Sequence, residues 1–248
     1  MIRIAMLLLL AAFAWSEVIE ASYKIEYGVF GKVGASDALL ETNATSYHIE
    51  VVGEATGFAK VLTGGRKERY ISTGKIIDGR LVPEKFIKSR IRRNKRSDKY
   101  FIFDHEKKVV YAKKRVYENG KLVSDGKPNP LPYYAKDDLF TLYFNIFDQL
   151  KKLPVGSYRF HAVGGDRKDG AVDIVIPDAK TLKKLKKRLK SDGFYFIAII
   201  HQKIFASKEG ALYIVADDDG VAKKALLKDV IMFGDIVGKL VKKRVSDR

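Results

Sequence analysis

Four histidines, His48, His105, His161 and His201, are the first residues to question for chemistry. Zinc-based hydrolysis brings imidazoles together, most legibly at i and i+4 within HExxH, and no two of these stand at that spacing. His48, His161 and His201 each fall in a strand-like pattern, where a satisfied or solvated polar role is expected. The chain has no cysteine, which excludes disulfides, thiolate metal ligands, a cysteine nucleophile and a lipid anchor on cysteine. No GxSxG elbow is present, so that serine-nucleophile signature is missing. GxGxxG and P-loop patterns are missing too. Asp217-Asp218-Asp219-Gly220 hints at calcium, but a loop opened at Asp217 puts Lys228 where an EF-hand needs its bidentate Glu. An Asp-rich turn closed by Gly220 is expected instead. A carboxylate pair for glycoside hydrolysis can come from distant strands, and nothing singles one out. We therefore expect no enzyme, no catalytic residue, no cofactor and no metal. "ETNAT", Glu41 to Thr45, holds an Asn-x-Thr sequon at Asn43 in the extended acidic form that some bacterial glycosylation systems read.

Two other kinds of residue point to binding. "DDLFTLYFNIFDQLKK", Asp137 to Lys152, has Leu139, Tyr143, Ile146 and Leu150 at helical spacing, with Phe140, Phe144 and Phe147 widening the stripe. Asp137 is the expected N-cap and Pro154 the stop. Phe140, Tyr143, Phe144 and Phe147 are the candidates for contact with an apolar ligand. The second kind is basic. "PDAKTLKKLKKRLKSDG" aligns Leu182, Leu185 and Leu189 among lysines, with Asp178 to start a helix and Gly193 to close it. Such a stripe can lie on an anionic membrane, or dock its leucines on a sheet and solvate its lysines. In "EKFIKSRIRRNKR", Lys88, Arg90 and Arg92 alternate with Ile87, Ser89 and Ile91 as the solvated face of a strand. Lys88, Arg90 and Arg92, with Lys183, Lys184, Lys187 and Arg188, are the candidates for contact with an anionic surface. The strand cluster lacks the interleaved stacking aromatics of a nucleic-acid patch.

These side chains need a scaffold, and the chain is long enough to bury one: 248 residues, 46% hydrophobic, net charge +17. Excess positive charge favours anionic partners and says little of fold. "MIRIAMLLLLAAFAWSEV" has Arg3, an apolar run from Ile4 to Trp15 and a small-x-small site at Ala12-Phe13-Ala14. That is the pattern of a secretory signal peptide, residues 1–14, and the run is short of the ~20 apolar residues a spanning helix needs. The expected location is the periplasm, free or membrane-associated, with residues 15–248 as one β-rich domain. Nucleic acid is not an expected partner there.

Elsewhere the period is two. Tyr23, Ile25, Tyr27 and Val29 alternate with Lys24 and Glu26, and Tyr47, Ile49 and Val51 with His48 and Glu50. In "YISTGKIIDGRLVPEKF", Asp78-Gly79 suits a tight hairpin turn. Pro83 cannot donate to a ladder, so its strand is at an edge or bulged, and Gly74 suggests a bulge or a close backbone approach. Further runs, Tyr100–Phe103, Val109–Tyr117, Tyr158–Val163, Val172–Ile176, Phe194–Phe205, Ala211–Ala216, Val221–Leu227 and Val230–Val241, complete a mainly antiparallel β fold. A half-barrel or open barrel of about ten to twelve short strands is expected, with two α-helices near 137–152 and 178–191.

"YKIEYGVFGKVG", "YISTGKIIDGRLVPEKF", "KDDLFTLYF", "LPVGSYRFHAVGG" and "LYIVADDDGVAKKALLKDVIMFG" resemble, in the same order from Tyr23 to Gly238, the bacterial exported family of domain of unknown function 3108. Against that pattern Ala179–Asp192 reads as an addition. The resemblance implies an envelope-targeted, mostly antiparallel β protein, with no established activity and no catalytic residue to carry over. At the level of fold analogy, periplasmic half-barrels of the lipoprotein-carrier type wrap a sheet around a helix and hold acyl chains. The sequence is thus read as a non-enzymatic binding or carrier module for an apolar or lipid-like ligand. The alternative is an envelope interaction protein whose basic surface meets anionic head groups or a partner protein.

Overall fold

The computed structural model describes residues 17–165, 167–199, 210–230 and 234–247. The signal-peptide pattern and His201 lie outside them. The chain forms β1 (Glu17–Tyr27), a 3-10 turn (Gly28–Phe30), β2 (Gly31–Thr42), β3 (Ser46–Ala55), α1 (Gly57–Thr63), β4 (Lys67–Ile77), β5 (Arg80–Arg92), β6 (Lys95–Asp104), β7 (Val109–Glu118) and β8 (Lys121–Asp125). Then come β9 (Asn129–Pro130), β10 (Asp137–Asp138), α2 (Leu139–Leu150), β11 (Gly156–Val163), β12 (Ala171–Ile176), α3 (Ala179–Leu189), β13 (Phe194–Ile199), β14 (Ala211–Ala216), β15 (Ala222–Val230) and β16 (Gly234–Asp247).

These strands form one sheet. Its order runs β10, β11 through β16, then β1 through β8, with β9 paired to β7. Neighbours are antiparallel except the two-residue β10–β11 pairing. β16 and β1 join the two ends of the chain at its centre, Glu17 opposite Asp247. β10 and β8 end the path unpaired with each other, so the sheet is open. It nevertheless rolls until its β10–β11 end meets β5. Gly164, just past β11, comes directly against Phe86 of β5. Its φ is +111°, and a Cβ there would lie 2.5 Å from the Phe86 ring. Any larger residue is excluded on both counts.

The mainly antiparallel, open architecture agrees with the sequence reading, but among the described residues sixteen strands replace ten to twelve and three helices replace two. β9 and β10 are two residues each, and β8 is five exposed residues whose apolar pair, Leu122 and Val123, is adjacent, so none shows a period-two apolar signal. α1 has seven residues and buries none of them, too little for a helical stripe. The helix limits also move. Asp138, not Asp137, caps α2, and α3 ends on Lys190 in the left-handed region (φ 47°), not on Gly193. The Asp78-Gly79 hairpin forms with both residues at positive φ. Pro83 sits on an interior strand at a bulge opposite Thr73 and Gly74. A Cβ on Gly74 would lie 2.0 Å from the Val82 carbonyl, so the glycine serves both bulge and close approach.

Candidate functional site

α2 lies inside the roll, between two walls. Leu142, Ile146, Phe147 and Leu150, with Tyr143, pack on the inner faces of β11–β15, against Val172, Ile174, Phe196 and Ile214. Phe140 and Phe144 face the other wall, with Tyr47, Ile49 and Leu81 of β3–β5. A helix that is apolar nearly all round is stable only when covered on most sides. Each fully buried large side chain contributes about 1.5–3 kcal/mol.

The helix is pinned at its start. The Asp138 side chain accepts hydrogen bonds from the Phe140 and Thr141 backbone N–H groups at 2.8 and 3.1 Å, while Thr141 Oγ1 accepts from Asp138 N. This reciprocal cap satisfies N–H groups that the first turn leaves without partners. Ser72 Oγ on β4 donates to the other carboxylate oxygen at 2.5 Å, and the Tyr47 hydroxyl lies 2.9 Å from Ser72 Oγ. Burial pushes the Asp138 carboxyl up to about 6, and the donors of Ser72, Thr141 and Phe140 pull against that. Burial also raises Asp137, which Asn145 partly offsets by donating to it at 2.7 Å. Asn145 also accepts from Leu81 N and donates to Leu81 O, tying α2 to β5. The seam is therefore closed by side chains where a barrel would have a backbone ladder.

Toward the end of the roll that carries the β5–β6 turn, the seam becomes charged. Tyr70 stands edge-on to Phe140, ring centroids 6.1 Å apart, and donates to Glu68 at 2.6 Å. Burial would raise Glu68, but Tyr70, Arg66 and Arg90 outweigh it and hold the carboxyl below its usual range. Lys88 Nζ lies 5.9 Å from the Tyr70 ring centre and donates to the Gly164 carbonyl at 2.7 Å. Arg90 pairs with Glu68.

The sequence-predicted residues divide as follows. Phe140, Tyr143 and Phe144 are half-buried around α2, and Phe147 is buried. Tyr143 has a structural task, donating to the Gly220 carbonyl. Lys88, Arg90 and Arg92 share a strand face with Phe86, which is fully buried. Arg90 and Arg92 are exposed, in keeping with a solvated face, and Lys88 is half-buried; strand alternation puts the three on the inner side near the mouth, with Ile87 and Ile91 on the opposite face. Lys183, Lys184 and Lys187 are exposed on α3, far round the roll, and Arg188 is tied to Asp235. The structure thus brings Phe140 and Lys88 together through Tyr70 and leaves the α3 cations apart.

Sequence reasoning missed three residues here, Ser72, Asn145 and His105. His105 Nε2 donates to the Pro83 carbonyl at 2.6 Å, and Nδ1 shares a hydrogen bond with the Tyr134 hydroxyl. No local pattern marks any of them, because every partner except the Asp137 carboxyl that Asn145 also holds is at least 22 residues away. Among the described residues no group of His, Asp and Glu is placed to hold a metal, and no helix is long and apolar enough to cross a membrane. Asp217 to Gly220 form the expected turn, with Asp217 and Asp219 paired to Lys243. A groove of about 430 Å³ lies on the outer face of β16, β1, β2 and β3. Its charges pair across strands, Glu20 with Arg244 and Glu50 with Arg69, as on a solvated surface.

These features define a class: an open, rolled antiparallel sheet around an internal helix. The chain belongs to the family described as "Protein of unknown function (DUF3108)", whose profile matches residues 22–240. No curated protein matches it. Among solved structures it is similar to a crystal structure of a beta-barrel-like protein of domain of unknown function DUF1849 from Brucella abortus. That match has 14% identity, covers 94% of this chain and 98% of the other, and has a TM-score of 0.46.

Proposed function

We propose that this protein is an exported, non-catalytic binding module of the envelope whose ligand is an anionic amphiphile, a lipid-like molecule with an acyl tail and an acidic head. The tail would lie along Phe140 and Phe144, between α2 and the β4–β5 wall. The head would meet Lys88, Arg90 and Arg92 at the mouth. The observation that carries this reading is that the three cations share the inner strand face with Phe86, one ring away from Phe140. A small-molecule site is a largely apolar concave pocket with a few convergent polar groups; Phe140, Phe144 and the three cations would supply both kinds of lining once the seam opens to admit the tail. The side-chain seam supports it too, since opening it breaks a handful of hydrogen bonds and no ladder. The leader pattern of residues 1–14 supports export.

The test is native mass spectrometry with monomeric lysophosphatidylglycerol and lysophosphatidylcholine. The expected result is a one-to-one adduct with the anionic lipid, weakened about tenfold in a Lys88→Ala/Arg90→Ala variant, as loss of charge-assisted contacts implies. Circular dichroism would check that the variant is folded. No adduct with either lipid would sink the proposal.

A further inference from the structure

At the same end of the roll, three loops stand side by side: the β1–β2 turn, the β3–β4 connection with α1, and the β5–β6 turn. Their apolar side chains point away from every core. Phe30 and Phe58 are each 59% exposed, Val61 80% and Leu62 54%. The aromatics are ordered: Tyr27 stacks on Phe30 at 5.4 Å and 3°, and Phe30 on Phe58 at 6.0 Å and 9°. The Gly64 carbonyl accepts from Arg93 N at 2.9 Å, which joins the α1 loop to the β5–β6 turn. Four cations surround the apolar group: Lys32, Lys60, Arg92 and Arg93. None of them forms an ion pair among the described residues. Residues 28–34, 55–66 and 91–97 contain no Asp or Glu. The nearest acids are engaged, Glu26 with Lys24 and Lys239, Glu54 with Lys67, Glu68 with Arg66 and Arg90, Glu118 with Lys95, and Asp235 with Arg188.

We propose that this end is a membrane-docking tip: Phe30, Phe58, Val61 and Leu62 enter the interface of a bilayer while Lys32, Lys60, Arg92 and Arg93 meet its anionic head groups. Apolar residues exposed in one group are costly in water and mark an interaction surface. A ring of cations without acids selects an anionic surface. Aromatic and aliphatic side chains supply the shallow insertion that holds such contacts. The inference is independent of what α2 holds, because it uses none of the inner wall apart from Arg92 at the rim.

The test is co-sedimentation of the full chain with vesicles of phosphatidylcholine alone and of phosphatidylcholine mixed with phosphatidylglycerol. Binding is expected only to the mixed vesicles, and it should fall as salt shortens the screening length to about 8 Å near 0.15 M. A Phe30→Ser/Phe58→Ser/Val61→Ser variant should lose about tenfold or more in affinity, since it removes the inserted area and leaves the charge. These side chains are exposed, so the variant should fold. A Lys183→Glu/Lys184→Glu/Lys187→Glu variant should bind within about twofold of the parent, as exposed charges far from the tip are screened. A Phe58→Trp substitution in a Trp15→Phe chain should give an emission that shifts to the blue on mixed vesicles alone. Equal binding by the triple-serine variant, binding lost only with the α3 lysines, or no binding at all would overturn the proposal. So would a self-associated chain that the serine variant makes monomeric and that ignores vesicles.

Discussion

α2 and α3 begin with the same device and end on opposite faces of the same strands. Each has an aspartate at its N-cap, Asp138 and Asp178, accepting from backbone N–H groups of the first turn. α2 packs on the face of β13 and β14 that carries Phe194, Phe196 and Ile214. α3 docks Leu185 and Leu189 on the other face, against Tyr195 and Val215. What lies between the caps makes the difference. α2 carries apolar side chains over a wide arc, with Leu142, Ile146 and Leu150 toward one wall and Phe140 and Phe144 toward the other, and needs two walls. α3 has one leucine stripe and needs one surface, with its lysines left in water. Their polar anchors differ as well. Asp138 is fully buried and reaches Ser72 across the seam, whereas Asp178 is exposed and serves only its own helix. The interior helix thus holds the roll together, and the exterior one is attached to a sheet that does not depend on it.

The comparison breaks hardest at α2. Phe147→Ala should cost about 3–5 kcal/mol, because the ring is 4% exposed between Phe194 and Gly220 and leaves a cavity. Urea denaturation would measure it; a loss below that of any α3 truncation would refute the asymmetry.

Next is pH. The Asp138 carboxyl titrates at about 6 in the fold and near 3.9 unfolded, so the folded state binds its proton more tightly. Its contribution is therefore greatest below about pH 4, falls as pH rises toward 6, and is flat above, with about 1.4 kcal/mol lost per pH unit in that window. Asp138→Asn keeps an acceptor for the two N–H groups and removes the titration. The stability of the variant relative to the parent should rise between pH 4 and pH 6. A constant difference would show that the carboxyl is not held as described.

On α3, Leu185→Ala should cost about 2–3 kcal/mol, toward the low end for a buried leucine because surface relaxation is easy there. Amide exchange should stay slow in α2, and faster exchange there would mean that the two helices are coupled. Asp178→Ala should cost about 1 kcal/mol as a simple exposed cap. The smallest effect belongs to Lys183→Ser/Lys184→Ser/Lys187→Ser, within about 0.5 kcal/mol for exposed positions.

Much of this was legible from residue order. Period-two alternation marks β1, β3 and the β4–β5 hairpin, and Asp78-Gly79, Gly74 and Pro83 place a turn and a bulge that the structure contains. Both long helices follow from their stripes, and the start of α3 from its Asp178 cap, while the start of α2 and the end of α3 lie on Asp138 and Lys190 and not on Asp137 and Gly193. The direction of the roll does not follow. Alternation shows that Lys88 and Phe86 share a face, but Ile87 and Ile91 make the opposite face equally apolar locally. Only the arrival of Gly164 and α2 on the Phe86 side decides it. The Ser72–Asp138 bond spans 66 residues and has no local trace. The tip was missed because its apolar residues lie in two separate loops, its cations in a third as well, and they have no common period.

The central claim is that an acyl chain is held between α2 and the β4–β5 wall. The most direct measurement is photocrosslinking with a lysophosphatidylglycerol that carries a diazirine on its acyl chain, followed by peptide mapping. The account predicts saturable labelling of Phe140 to Phe147 and of residues in β4 and β5, competed by unlabelled lipid. Labelling confined to the Phe30 and Phe58 loops, or labelling that never saturates, would contradict it.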